Sequence, residues 1–373
     1  MSSTAFNRLR GLFSKSPSPI ITTIKANRAA EIRAPISSKD KKILSSVKKF
    51  KETTDNPRFR RYHHYYEATV LRLAREQHFS AIRDILEHQK KYPDIMDQKF
   101  AVRLICLYGK AKMADDAQKL FDELPSLNCE RTVVSFNALL GACVNSKNFN
   151  KVTELFKELP EKLSIEPDIV SYNTVIKALC DVRSVDSAIV VMNEMESSNI
   201  QPDVVTFNTL LDAFYKNNRI EEVEKLWCLM EKKNVLANVR TYNSRLRGLV
   251  ADNRVSDAAE LIKEMGKKGV KPDNYSFNAL MKGFVDVGNL EEAKVWYKKM
   301  MRNGCGPDRA TFGMLIPFAC DKDDFDYAFE LCNDAVKAKQ SVYNSVVQRV
   351  ADGLVERSKN NEAQKLMKMA KLK

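Results

Sequence analysis

Residues 169–180 read IVSYNTVIKALC, and the same frame returns as VVTFNTLLDAFY from 204, VRTYNSRLRGLV from 239 and NYSFNALMKGFV from 274. The starts lie 35 residues apart, and every copy carries an aromatic residue at its fourth place and Asn at its fifth. Within the first copy Tyr172, Val175, Ile176 and Leu179 recur at helical spacing. After the interruption DVRS, a second stripe follows with Val185, Ala188, Val191, Met192 and Met195. One unit is therefore a helical hairpin. Alanine recurs at place 20 (Ala117, Ala188, Ala258, Ala293, Ala328), where two helices must approach closely. A hairpin this short cannot cover its own apolar stripe, so its neighbours must stack on it.

The units end on Pro167-Asp168, Pro202-Asp203, Pro272-Asp273 and Pro307-Asp308. Proline cannot continue the preceding helix, and Asp caps the next. Extending the frame gives units at 63–97, 98–132, 133–168, 169–203, 204–238, 239–273, 274–308, 309–339 and 340–373. The first two match weakly, the third holds one extra residue, the eighth is short, and the ninth is expected to have a longer first helix and a basic end. Degenerate outer units suit the ends of a stacked array, whose outer faces must be polar. Residues 38–62 read as a lone basic helix, 38–54, with DNPRFRRY as a link to the array.

The formal charge is +13, but residues 1–62 hold 15 Lys+Arg against 4 Asp+Glu. The repeats are nearly neutral, so net charge alone does not argue for nucleic acid. Residues 1–37 contain Arg8, Arg10, Lys15, Lys25, Arg28 and Arg33 against Glu31, with many Ser and Thr; Phe6, Leu9 and Phe13 share one helical face. This reads as an organellar transit peptide, mitochondrial before plastid because Arg comes so early; the competing reading is a disordered basic tail. No stretch approaches the roughly 18 apolar residues of a membrane span, so no membrane partner is expected. The eight cysteines show no C-x-x-C pairing. Cys143, Cys180 and Cys320 fall on apolar stripes, and neither metal nor cofactor is expected.

Thirty-five-residue hairpins with VTYNTLI-like openings and Pro-Asp closings resemble the pentatricopeptide repeat family, of the pure type found in plant organelles. The likeness covers about 63–373 and is strong in five consecutive units, 133–308. More loosely, CERTVVSFNALLGACVNSKNFNKV followed by EPDIVSYNTVIKALC is similar to small members associated with the plant mitochondrial ribosome. The implied fold is all-α, a right-handed superhelical solenoid of about nine helix-turn-helix repeats. The resemblance also implies that places 5 and 35 read RNA bases: Asn137 with Asp168, Asn173 with Asp203, Asn208 with Asn238, Asn243 with Asp273, and Asn278 with Asp308. In the family Asn with Asp favours uracil and Asn with Asn a pyrimidine. Place 2, here Val134, Val170, Val205, Arg240 and Tyr275, would sandwich the bases. Glu67 with Asp97, Val102 with Thr132, and Gly313 depart from the pattern, and Asn344 stands alone in the ninth unit.

An Asn amide both donates and accepts, and an aligned row of them suits one base per repeat. The alternative is structural: Asp as cap only, Asn bonded to a neighbouring unit. No phosphate-binding loop, dinucleotide fingerprint or deaminase motif is present in the sequence, so catalysis is not expected. Two binding roles are open. One holds pyrimidine-rich single-stranded RNA in mitochondria; the other is a fixed part of a ribonucleoprotein such as the mitochondrial ribosome, contacting ribosomal RNA and proteins.

Overall fold

The computed structural model describes residues 38–371. Among them the only regular elements are helices, and nine hairpins follow a short N-terminal pair, α1 (Ser38–Thr54) and α2 (Pro57–Arg60). The first helices of the hairpins are α3 (His63–Arg75), α5 (Gln98–Lys110), α7 (Val133–Asn145), α9 (Ile169–Asp181), α11 (Val204–Lys216), α13 (Val239–Ala251), α15 (Asn274–Asp286), α17 (Arg309–Asp321) and α19 (Asn344–Glu356). The second helices are α4 (Phe79–His88), α6 (Ala114–Glu123), α8 (Phe149–Leu163), α10 (Val185–Ser197), α12 (Ile220–Lys232), α14 (Val255–Lys267), α16 (Leu290–Arg302), α18 (Phe325–Lys337) and α20 (Asn360–Lys371). The chain forms two compact units, one running to Leu210 and the other from Leu211, so the boundary falls inside α11. The expected leader, residues 1–37, lies outside the described residues.

Every first helix is 13 residues long. The local reason is a stop at fixed distance from the start. Gln77, Lys112, Lys147, Arg183, Asn218, Asn253, Gly288, Asp323 and Ser358 all have positive φ, each at place 15, where the left-handed residue turns the backbone away from the helix. The extra residue of the third unit is absorbed in α8, which is 15 residues long and contains Pro160.

First helices pack on first helices: α5 on α7 and α7 on α9 in one unit, α13 on α15 and α15 on α17 in the other. Within each unit second helices also meet the next first helix, as α8 does α9 and α14 does α15. The core between them is the apolar stripe read from the sequence: Tyr172, Val175, Ile176, Leu179, Ala188, Val191, Met192 and Met195 are all buried. Ala117, Ala188, Ala258, Ala293 and Ala328 have no exposed surface, as close helix approach at place 20 requires.

Two boundary expectations change. The ninth hairpin starts at Asn344, 35 residues after Arg309, and α19 has the ordinary length. The eighth repeat is therefore not short, and Asn344 stands at place 1. Ala363 then takes place 20 and Ser358 the left-handed turn, both in register with the rest. Nor is α1 lone: Val47, Phe50 and Thr54 are buried, and α1 packs on α4 as a lid over the first hairpin.

At Gly109 of α5 the close neighbour is backbone: an added Cβ would stand 2.6 Å from the Cα of Ala142 in α7. Helix propensity alone makes Gly→Ala stabilising by about 1 kcal/mol. Crowding against backbone reverses the sign, and Gly109→Ala is expected to lose about 1–3 kcal/mol. Urea unfolding of the two proteins checks this; a gain in stability would show that α5 and α7 are free to separate.

Candidate nucleic-acid interface

The six first helices from α7 to α17 open with the same capping chemistry. In α9, the Asp168 carboxylate accepts from the N–H groups of Val170 and Ser171, both at 3.0 Å, while the Ser171 hydroxyl accepts from the Asp168 N–H. The same box forms around Asn238 with Thr241, Asp273 with Ser276, and Asp308 with Thr311. Asp203 and Thr206 make it at the start of α11. Such boxes satisfy the orphan donors of a helix N-terminus.

The Asn at place 5 of the preceding repeat joins this box. Asn137 Nδ2 donates to Asp168 Oδ1 at 2.9 Å, and Asn137 Oδ1 accepts from the Ser171 hydroxyl at 2.6 Å. Asn173 repeats the pattern with Asp203 (3.2 Å) and Thr206 (2.6 Å), both in the first unit. In the second unit Asn243 binds Asp273 (3.0 Å) and Ser276 (2.6 Å), and Asn278 binds Asp308 (3.2 Å) and Thr311 (2.8 Å). Four clasps thus tie the start of one repeat to the helix before it. The bridging hydroxyl at place 3 was visible in every quoted opening as Ser or Thr, but its partner lies in another repeat and no local pattern names it.

The clasp is only half of the available chemistry. The hydrogen bonds to Asp168, Asp203, Asp273 and Asp308 converge on one carboxylate oxygen, Oδ1. The Oδ2 atoms accept nothing from the described residues, and each Asn keeps one N–H. The place 2 side chains stand beside them, exposed: Val134, Val170 and Val205 are about half exposed and Tyr275 is 76% exposed. Asn208 differs, being only 3% exposed, so it presents little amide edge to solvent.

In the second unit these groups line one cavity of about 950 Å³, which takes in Arg240, Asn243, Asp273, Tyr275 and Asn278. Two further cations, Arg247 and Lys282, lie on the same wall. Arg247 pairs with Asp212 at 2.8 Å, Arg240 comes within 3.7 Å of the same carboxylate, and the Ser244 hydroxyl donates to it as well. Lys282 pairs with Asp286. The place 9 charges Asp212, Arg247 and Lys282 were not singled out from the sequence, although their 35-residue spacing is present there. Partial burial pushes the carboxyls of Asp203 and Asp308 up, but the hydrogen bonds from Thr206 and Asn173, and from Thr311 and Asn278, outweigh it and hold both below the ordinary aspartate value.

A profile of the PPR repeat family matches residues 131–181, 167–215, 202–251, 237–286 and 276–321, together just over half of the chain, and a PPR repeat profile matches 103–129. A pentatricopeptide repeat-containing protein of Arabidopsis thaliana is 51% identical over 150 residues, 40% of this chain and 27% of that protein. The Arabidopsis small ribosomal subunit protein mS79 (rPPR3b) is 49% identical over 159 residues, 43% of this chain and 40% of its own length. The corresponding protein mS78 (rPPR3a) is 44% identical over 203 residues, 51% of this chain and 50% of its own length. The chain thus spans half or less of these relatives. The crystal structure of maize PPR10 superposes with a TM-score of 0.54 at 18% identity, over 79% of this chain and 46% of that one, a likeness of fold.

Because the folded carboxyls of Asp203 and Asp308 lie below 3.8, their stabilisation is complete above that value and is lost as acid carries them through their lower folded values. Replacing both by Asn, which already caps α13 as Asn238, is expected to flatten the fall of the thermal midpoint below about pH 4. Circular dichroism melts between about pH 2 and 7 read this; parallel curves for the two proteins would contradict it.

Proposed function

The chain belongs to the pentatricopeptide repeat family, and from that premise we propose that it is an RNA-binding helical-repeat protein of the mitochondrial matrix. It binds short pyrimidine-rich single strands and acts after transcription, on processing, stability or translation, as a binder without catalysis of its own. The observation that carries this reading is the half-used clasp. Asn243, Asp273 and Asn278 line a cavity walled by Arg240 and Tyr275, and there the clasps leave one amide N–H of each Asn and one carboxylate oxygen of Asp273 without a partner among the described residues. A donor beside an acceptor suits the uracil edge with its O4 and N3–H, and the flanking side chains suit stacking on its face. Mitochondrial placement is supported by the mitochondrial relatives and by the basic, Ser-rich first 37 residues.

A second reading has its own support: mS78 and mS79 are named as small ribosomal subunit proteins, and only four clasps of full Asn–Asp type are present among the described residues. In that reading the chain is a component of the mitochondrial ribosome and uses its helix faces on folded RNA and protein.

Arg240→Ala with Tyr275→Ala spares the clasps and tests the first reading. It is expected to weaken binding of a U-rich oligonucleotide about tenfold or more, stacking being worth about 1–3 kcal/mol per base, with the melting curve unchanged. Asn243→Ala with Asn278→Ala should erase the preference for U-rich over A-rich strands. Equal binding of both strands by the wild type, together with co-sedimentation with the small ribosomal subunit after RNase treatment, would favour the second reading.

A further inference from the structure

The stretch DNPRFRRY at 55–62, read from the sequence as a link, runs directly into HHYY at the start of α3, and the structure makes the two together a built surface. Arg60 is buried: its guanidinium donates to the carbonyls of Thr54 (2.8 Å) and Asp55 (3.2 Å), pairs with Asp94 at 2.7 Å and lies over the Tyr92 ring. Its own carbonyl accepts from Arg103 at 2.8 Å. Phe59 turns inward onto Phe50 and Tyr65. These contacts hold a four-residue helix, capped by Asn56, in one place.

What the anchored segment presents outward is cationic and aromatic. Arg58, Arg61, Tyr62, His63, His64 and one side of Tyr65 are exposed. Neither Arg58 nor Arg61 has an acid partner among the described residues, because the nearby carboxylates are engaged elsewhere. Asp55 accepts from Tyr92 and Lys91, Asp94 from Arg60, and Glu67 pairs with Lys110. His64 meets the rings of Tyr62 and His63 in edge-to-face contacts, and Tyr62 remains 54% exposed.

We propose that this surface is a second RNA contact, independent of the Asn–Asp clasps, in which Arg58 and Arg61 hold phosphates of a single strand and Tyr62 stacks on an unpaired base. Unpaired guanidinium groups beside an exposed aromatic side chain are the combination that sequence-tolerant single-strand binding uses. A lipid surface fits less well. Interfacial binding scales with buried apolar area, and the one purely apolar ring of the segment, Phe59, faces inward. The proposal rests on the RNA-binding reading above but on no atom of the clasps.

The test uses the full chain and labelled 20-nucleotide strands, one U-rich and one A-rich, titrated at several salt concentrations. Arg58→Gln with Arg61→Gln is expected to weaken both strands by a similar factor, about five- to tenfold, and to lower the slope of log K against log salt by about 1.4, two phosphate contacts on a single strand. Tyr62→Ala is expected to weaken both at least about fivefold and Tyr62→Phe to restore binding. Photocrosslinking of 4-thiouridine RNA should mark the peptide containing Tyr62. If the wild type binds RNA and these variants bind it as well with unchanged slope, this proposal is overturned while the clasp reading stands. Loss of binding to phosphatidylserine vesicles or to the ribosomal subunit, with RNA binding intact, overturns it too. If the wild type binds neither strand, the reading above fails and this one with it.

Discussion

An isolated helical hairpin of 35 residues has no fixed angle to its neighbour; apolar stripes alone permit sliding. What sets the register between repeats here is a hydrogen-bonded clasp at the mouths of four first helices, α9, α11, α15 and α17. Asn137, Asn173, Asn243 and Asn278 each reach the capping box of the following repeat, giving an N–H to its Asp and taking a hydroxyl proton from its Ser or Thr. The cap is needed in any case, because helix N-terminal amides must find acceptors. By sharing it with the previous helix, the chain converts a local requirement into an inter-repeat one.

The same clasp is compatible with both the structural role of Asn and the base-reading role proposed for it. They do not compete for the whole side chain. One N–H and one lone pair of the amide are spent on the neighbouring cap, and the carboxylate spends a single oxygen. The remaining donor and acceptor are then held rigidly, beside exposed place 2 residues, in the orientation the clasp dictates. Pre-organisation of this kind reduces the ordering cost of binding a flexible strand. Asn208, buried rather than half-exposed, is the place where this logic is least developed.

Much of the fold was legible. The aromatic-Asn opening, the place 20 alanines and the Pro-Asp closings are local or strictly periodic, so helix starts from His63 to Arg309 fall where the sequence puts them. The last hairpin was misframed because Asn344 was aligned with the Asn of place 5, while the better markers, Ala363 and Gly353, sit in a region lacking Pro-Asp. The docking of α1 was present as Val47, Phe50 and Thr54 on one helical face, outweighed in reading by its lysines. The site was legible as residue types but not as bonds. Nothing in one repeat states that its fifth residue meets the third residue of the next, nor that Asp212 gathers Arg240, Arg247 and Ser244.

The central claim is that Asn and hydroxyl in successive repeats act as one coupled unit, and a double-mutant cycle on Asn243→Ala and Ser276→Ala measures that coupling directly. Unfolding free energies of the wild type, both single variants and the double variant are expected to give an interaction energy of about 0.5–1.5 kcal/mol, as for groups sharing one hydrogen-bond network. Strict additivity of the two substitutions would contradict the account, since it would mean the two repeats keep their register without the clasp.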